Sequence, residues 1–335
     1  MRTGCFICNI VLFFSVSACT GNRALHRVQG FAQGTTWQVQ YIAKDTINLL
    51  PAINEIFKEI DRSVSTYNPE SLISKINSGN TDVEVDSVFS FLFHRSQEVS
   101  RMTDGAFDIT VAPLVDAYGF GSAQRAQQND SLVNALRSCV GFQRVSLKGR
   151  RVVREVPCVR LDFNAIAQGY TVDRISELLL RAGISQFLIE VGGEIKTKGQ
   201  KLSDAPWTVG IETPDTTMAM QRSYSAVLAL KDRAMATSGN YRRFYEEDGK
   251  YFAHIIDPRT GESARSGLLS ATVFADDCAT ADAFATAFTV MGLARSKEFL
   301  EAHPELHLDV VLIYREGENY KMFYSPRLKN SFRSN

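Results

Sequence analysis

Asp282 and Thr286 stand four residues apart in Ala279–Met291, a run with helical periodicity, so both side chains project from one helix face. A carboxylate and a hydroxyl one turn apart offer two hard oxygen ligands. Such a pair suits Mg²⁺, which keeps several waters and often shares substrate phosphates. A polar helix face whose Thr bonds back to the helix carbonyls accounts for the same two residues. The alternating Ala279, Ala281, Ala283, Ala285 and Ala287 predict that this helix is buried. A buried carboxylate needs a partner, and a metal ion would supply one.

Four further segments carry polar groups at or beside turns. In Leu161–Tyr170 a strand runs into a small-residue turn and then a helix, whose first N–H groups make an anion site. Asn164 acting only as an N-cap explains that pattern equally well. Glu190-Val191-Gly192-Gly193-Glu194 follows an apolar strand, and its glycines permit either close ligand approach or a tight turn. Ala236–Arg242 reads as a loop leading into a hairpin, with Ser238, Gly239 and Arg242 suited to a phosphate or a ring edge. His254 lies on the second hairpin strand before Asp257-Pro258, where a structural His and an ordinary turn are the simpler alternatives.

These residues need elements to hold them. Val28–Ala43 alternates as one or two strands, and Ile47–Ser63 has helical spacing with Pro51 as an early interruption. Asp86–Met102, Ser131–Cys139 and Val172–Ala182 read as helices, the last stopped by Gly183. Short strands are expected in Phe142–Leu161 around Lys148-Gly149-Arg150, and at Phe187–Val191, Trp207–Glu212, Ser225–Leu230 and Ser270–Ala275. Asp248-Gly249 marks a hairpin between Tyr241–Glu246 and Tyr251–Ile256. The helix over Ala279–Met291 should end at Gly292, before a final hairpin of Leu308–Tyr314 and Tyr320–Tyr324. Helices and strands interleave without a regular βαβ rhythm, which indicates α+β.

The chain has 335 residues, 44% of them apolar, and 37 basic against 37 acidic side chains. That suffices for a packed core and gives no electrostatic case for nucleic acid as a partner. Ile7–Val16 is apolar, follows Arg2, and leads into Ser17-Ala18-Cys19. This is the size of a signal-peptide core, and Val16–Cys19 fits a bacterial lipobox. We therefore expect a signal peptide over 1–18, lipidation at Cys19, a tether over 19–26 and one domain over 27–330. A lipid anchor would hold the exported protein on a bacterial membrane face, expected to be the periplasmic one, rather than through it. Cys139, Cys158 and Cys278 remain. A Cys139–Cys158 disulfide and three buried thiols both fit the spacing.

Taken together and in order, these segments closely resemble the ApbE family of flavin transferases, the FAD:protein FMN transferases. The matching run spans Gly30 to Gly292. It includes Gly34-Thr35-Thr36-Trp37, Ser63–Asn68, Gly105–Leu114, Tyr118-Gly119-Phe120, Asp162–Tyr170, Glu190–Glu194, Thr237–Tyr241, His254–Pro258 and Ala281–Ala287. The resemblance implies an α+β ApbE-type fold related to tandem T-fold units, with mixed helices and largely antiparallel sheets. It implies FAD as donor substrate and Mg²⁺ on its pyrophosphate. The acceptor would be a Thr hydroxyl in a D-[GA]-x-T-type motif of an exported redox protein, and AMP would be released. Asp282, Thr286 and the Ala165 carbonyl match the family's metal positions. Thr35, Tyr67, Asp108, Asn164, Glu190, Gly192, Ser238 and Gly239 fall in segments lining the FAD site. His254 matches the active-site His, with Asp257 as second candidate base. The chain departs from the common pattern at Gln33, where Met is frequent, Asn164, where Gly is frequent, and Gln168, where Lys is frequent.

Two other readings use the same residues. Water in place of the Thr hydroxyl would make an FAD pyrophosphatase giving FMN and AMP. A non-catalytic FAD-binding lipoprotein would not require Asp282, Thr286 and His254. Asp104-Gly105-Ala106 begins like an acceptor motif, but Phe107 stands at the Thr position, so the acceptor should be a separate protein.

Overall fold

The structure, a computed structural model, describes residues 23–121, 130–214, 224–239, 244–247, 250–264, 266–317 and 319–332. The signal peptide expected over 1–18 and the lipidation site Cys19 lie outside them, as do Asn240–Arg243 and Asp248-Gly249. Strands β1 (Ala24–Ala32) and β2 (Thr35–Ala43) form a hairpin turning at Gln33-Gly34. Helices α1 (Leu50–Val64), α2 (Leu72–Asn77), α3 (Ser87–Met102), α4 (Ala112–Ala117) and α5 (Asp130–Arg137) follow. A small hairpin, β3 (Val145–Lys148) with β4 (Arg151–Arg154), leads to α6 (Asn164–Arg181). Next come β5 (Phe187–Val191), β6 (Glu194–Lys198), the hairpin β7 (Trp207–Glu212) with β8 (Tyr224–Leu230), and β9 (Ala234–Gly239). The chain closes with β10 (Phe244–Glu247), β11 (Lys250–Ala253), β12 (Leu268–Ala275), α7 (Cys278–Ala302), β13 (Asp309–Glu316) and β14 (Asn319–Tyr324).

Eight strands form one sheet in the order β1-β2-β5-β6-β9-β12-β13-β14, and every neighbouring pair is antiparallel. Successive side chains point to opposite faces. Thus Ile189, Val191, Val310 and Leu312 enter the main core, shared with buried residues of α1, α3, α6 and α7. Leu188, Met235, Phe274, Val311 and Ile313 enter a second core beneath the β7–β8 hairpin, against Trp207, Val209, Ile211, Leu228 and Leu230. Covering on both faces explains why β5 and β13 are nearly continuous apolar runs. Among the described residues no helix is long and apolar enough to cross a membrane.

Several boundaries differ from the sequence reading. β1 begins at Ala24, inside the stretch read as tether, because Ala24 and Leu25 pair in register with Ala43 and Ile42. Pro51 does not interrupt α1 but sits in its first turn, where the missing N–H costs nothing. α6 begins at Asn164, eight residues before the expected start. Ala236–Gly239, read as part of a loop, instead belongs to β9, a central strand paired to β6 and β12 despite the low strand propensity of its small residues.

α7 breaks at Gly292, where its helix was expected to end, and then resumes. Gly292 has φ 77° and ψ 176°, a region essentially reserved for glycine. The bend lets Phe299 return onto Phe284 and Phe288, with ring centroids 5.4 and 5.5 Å apart. In a straight helix Phe284 and Phe299 would be about 22 Å apart.

Cys139 and Cys158 are disulfide-bonded, and Cys278 is a buried thiol. A cross-link over 19 residues stabilises by about 3 kcal/mol in the chain-entropy account. It joins the segment after α5 to the one before α6.

Trp207 is the anchor of the second core, 1% exposed, with its indole N–H donating to the Lys198 carbonyl at 3.1 Å. Trp207→Ala should destabilise the fold by about 3–5 kcal/mol. Urea unfolding reads this directly, and a loss below about 1 kcal/mol would mean that the β7–β8 hairpin does not fold with the sheet.

Candidate active site

The site grows from the packing of α6 on α7. A Cβ added at Gly169 would lie 2.3 Å from the Cys278 carbonyl oxygen and 2.8 Å from the Asp282 Cβ, so the two helix backbones nearly touch. The Gly169 N–H donates to Asp282 Oδ2 at 3.0 Å. One turn below, the N–H of Cys278 donates to both Asp173 carboxylate oxygens at 2.9–3.0 Å. The helices are therefore antiparallel, with Asp173 level with Cys278 and Gly169 level with Asp282. One more turn brings Ala165 level with Thr286. Ala165 departs from helical geometry, with φ −89° and ψ 17°. The Gly169 N–H, one turn on from Ala165, reaches across to the Asp282 carboxylate of the neighbouring helix.

Asp282 is 8% exposed. Burial pushes its carboxyl up to about 7, partly offset by the Gly169 N–H and reinforced by Asp173. The Thr286 hydroxyl stands 3.5 Å from the Ser238 hydroxyl at the end of β9, and Gly239 beside it pairs with Ser270. Among the described residues no group of three His, Cys, Asp or Glu has metal-ligand placement. What α6 and α7 present is one buried carboxylate, one hydroxyl and one main-chain carbonyl. These hard oxygens fit Mg²⁺ if substrate phosphates and water complete the shell.

The strand tips close one side. Around Gly192, at the β5–β6 turn, the Thr35 methyl, the Gln168 amide nitrogen and Glu194 Oε2 lie within 3.0–3.3 Å of where a Cβ would stand. The Gly192 N–H donates to the Thr36 carbonyl, joining the β5–β6 and β1–β2 turns. Glu190 Oε1 accepts from the Gly193 N–H at 2.9 Å, which fixes this turn. Gln33, at the other turn, donates to the Thr171 hydroxyl at 2.9 Å.

The His254 segment is hung on the same helix from the other end. Ile255 packs with Val290, one turn beyond Thr286. The half-buried His254 ring meets Phe120 edge-on, with centroids 6.2 Å apart. Asp257 is held in a fork: Arg259 Nε and Nη2 donate to its two oxygens at 2.9 and 2.7 Å, and the Arg259 N–H adds a third bond. Its carboxylate is committed to shaping the turn. Asp108 is buried, accepts from the Thr110 N–H and hydroxyl at 2.8 and 2.7 Å, and is pushed by burial up to about 6. It borders a cleft of about 440 Å³ that also touches Pro258 and Arg259. Asn164 donates its N–H and side-chain amide to Asp162 at 2.6 and 3.2 Å, so it is itself capped by Asp162. Tyr67 is 61% exposed on the turn after α1.

The structure thus gathers Thr35, Ala165, Gly192, Ser238, Gly239, Asp282 and Thr286 around the α6–α7 pair. Asp108 borders the neighbouring cleft, and Asp257 stands beside it through its partner Arg259. Nothing in the residue pattern points to Asp173 and Lys196, whose 2.6 Å ion pair lies under the site. Their partners are 23 and 105 residues away in the chain.

This α+β scaffold of mixed helices and mostly antiparallel sheets matches that of solved flavin transferases. A structure of Flavin Transferase ApbE from Vibrio cholerae superposes with a TM-score of 0.82 at 31% identity, over 92% of this chain and 100% of that one. The apbe protein from Thermotoga maritima gives 0.80 at 28% identity, over 93% and 100%. The ApbE family model matches residues 33–311. The FAD:protein FMN transferase of Vibrio cholerae serotype O1 is 33% identical over 311 residues, 90% of this chain and 91% of that protein. That of Escherichia coli strain K12 is 31% identical over 314 residues, 90% and 88%. This chain belongs to the ApbE family.

The buried Asp282 carries a pH signature. Its folded value of about 7 exceeds the ordinary 3.8, so the folded state holds the proton more tightly than the unfolded state. Below about pH 4 both states are protonated and no penalty arises. Between there and pH 7 the unfolded chain ionises first, and stability falls as pH rises. In EDTA the melting temperature of the parent should therefore drop more steeply from pH 4 to 7 than that of Asp282→Asn. Parallel slopes would show that Asp282 ionises in the fold at no cost.

Proposed function

We propose that this chain, an ApbE-family transferase, moves the FMN part of FAD onto a Thr hydroxyl of an exported redox protein and releases AMP, with Mg²⁺ bound at Asp282, Thr286 and the Ala165 carbonyl. The observation that carries this reading is the buried Asp282 carboxylate, set level with Gly169 and one turn from Thr286 where α6 approaches α7. The names of the relatives from Vibrio cholerae and Escherichia coli support the FAD donor and the protein acceptor. The lipobox at Cys19 supports an exported, lipid-anchored location, and so does the Cys139–Cys158 disulfide, since such bonds persist in oxidising compartments.

The reaction breaks the bond between the FMN phosphorus and the bridging pyrophosphate oxygen, which leaves with AMP. It forms a phosphoester between that phosphorus and the acceptor oxygen. Such transfers depend on positioning and charge stabilisation more than on covalent protein chemistry. A bound Mg²⁺ supplies charge neutralisation at the pyrophosphate. Asp282 and Thr286 hold the metal position, and Ser238 and the Gly192 turn border it. His254 takes the proton from the attacking hydroxyl. Asp257, paired with Arg259, keeps the His254–Pro258 turn in shape rather than acting as the base. Tyr67 offers an exposed ring face for stacking a flavin.

The test uses the chain from Thr20 onward with FAD, Mg²⁺ and an exported acceptor domain containing the Thr motif. Flavin fluorescence on the acceptor should survive denaturing electrophoresis, with AMP formed in equal amount. Asp282→Ala should lower turnover by about 10²-fold or more, and His254→Ala by about 10²–10⁴-fold, both as folded proteins. AMP with only free FMN would replace the transferase by a pyrophosphatase. Bound, intact FAD with every exported acceptor tried would leave a binding protein.

A further inference from the structure

Asp173 on α6 is a side chain for which nothing in the proposed chemistry has a use. It is largely buried, and its contacts all converge on one place. Its Oδ1 accepts from Lys196 Nζ on β6 at 2.6 Å. Its two oxygens accept from the N–H of Cys278 at 2.9–3.0 Å, and Oδ2 also accepts from the N–H of Ala279 at 2.9 Å. These are the first two N–H groups of α7, which have no partner within the helix. The helix has its own N-cap in Asp277, whose carboxylate takes the N–H of Thr280 at 2.8 Å. Asp173 therefore caps α7 from another helix. Burial pushes this carboxyl up, and Lys196 together with the helix N-terminus offsets part of that cost.

The position of this cap matters more than its strength. Asp173, Gly169 and Ala165 are successive turns of α6, facing Cys278, Asp282 and Thr286 on α7. We propose that Asp173, pinned by Lys196, is a positioning residue: it fixes the register of α7 on α6 and so the spacing between the Ala165 carbonyl and the Asp282–Thr286 pair. This rests on the proposed metal site, and its role is felt as metal affinity rather than only as stability. A rigid support of this kind is what a site needs when its ligands come from separate elements.

The test is Mn²⁺ binding, followed by the electron paramagnetic resonance of free Mn²⁺, on the full-length chain in detergent with ADP as an unreactive pyrophosphate. Asp173→Ala should bind Mn²⁺ at least tenfold more weakly at a temperature where circular dichroism shows it folded. Asp173→Asn keeps the size and one acceptor oxygen, so it serves if the Ala variant does not fold. Its amide would face the Lys196 ammonium, and Mn²⁺ binding should weaken three- to tenfold. Asp173→Asn/Lys196→Met removes that clash and should return binding to within threefold of the parent. Variants that melt earlier yet bind Mn²⁺ within twofold of the parent would make Asp173 a stability element and overturn the proposal. A parent that binds no Mn²⁺, or an Asp282→Ala variant that binds it as the parent does, would instead overturn the metal site itself.

Discussion

Helices α6 and α7 meet with almost nothing between their backbones. Gly169 has no room for a Cβ against the Cys278 carbonyl and Asp282. This close approach dictates much of what surrounds it. It is eased by the small residues of this stretch of α7, where Ala279, Ala281, Ala283, Ala285 and Ala287 are all completely buried. It brings a main-chain N–H of one helix to a carboxylate of the other. It also excludes water from that carboxylate, which is why the Asp282 proton is held so firmly. An ordinary helix crossing, 8–10 Å between axes and filled with large side chains, would place the carboxylate among apolar groups and leave it without the Gly169 donor.

The rest of the fold keeps that contact in place. The sheet gives α6 and α7 a common floor, and β5 and β13 bury both their faces to do so. The bend at Gly292 turns the end of α7 back, so that Phe299 closes over Phe284 and Phe288. The same stretch of helix carries Val290, on which the His254 segment rests through Ile255. The segment that contains Asp108 pairs with the one leading into α6: the Asp162 N–H donates to the Ile109 carbonyl at 2.7 Å, and Val111 bridges Arg160. The disulfide from Cys139 reaches that same approach to α6 at Cys158. Changes at any of these supports would reach the site through helix position rather than through a lost ligand.

How much of this was legible depended on how local the signal was. The i, i+4 spacing of Asp282 and Thr286 and the alanine run gave a buried polar helix, because helix periodicity is a local property. The α+β class followed from element order in the same way. β9 was missed since its residues have small or polar side chains, and it is a strand only because β6 and β12 flank it. The early start of α6 was hidden by Asn164, Gln168 and Gly169, polar or side-chain-free residues that mark no amphipathic face. Asp257 read as a candidate base because a carboxylate near a His looks available in sequence; the Arg259 fork that occupies it is a matter of turn geometry. The Asp173–Lys196 pair left no trace at all. Neither residue is unusual for its element, and only the sheet brings β6 beneath α6 and α7.

The donor set itself limits how the proposed metal is used. One carboxylate, one hydroxyl and one carbonyl carry a single formal negative charge and fill half of an octahedral shell. Such a site is weak for Mg²⁺ alone, because the ion gives up tightly held water for few anionic ligands. A pyrophosphate bound between the strand tips and α6 would add both charge and oxygen ligands. Metal and donor would then strengthen each other's binding by the same factor, as linkage requires. A site with three carboxylates would hold the ion permanently and lose that coupling. The spare composition of the α6–α7 pair, with Ala165 giving only its backbone, is thus suited to an ion that arrives with the substrate and leaves with the product.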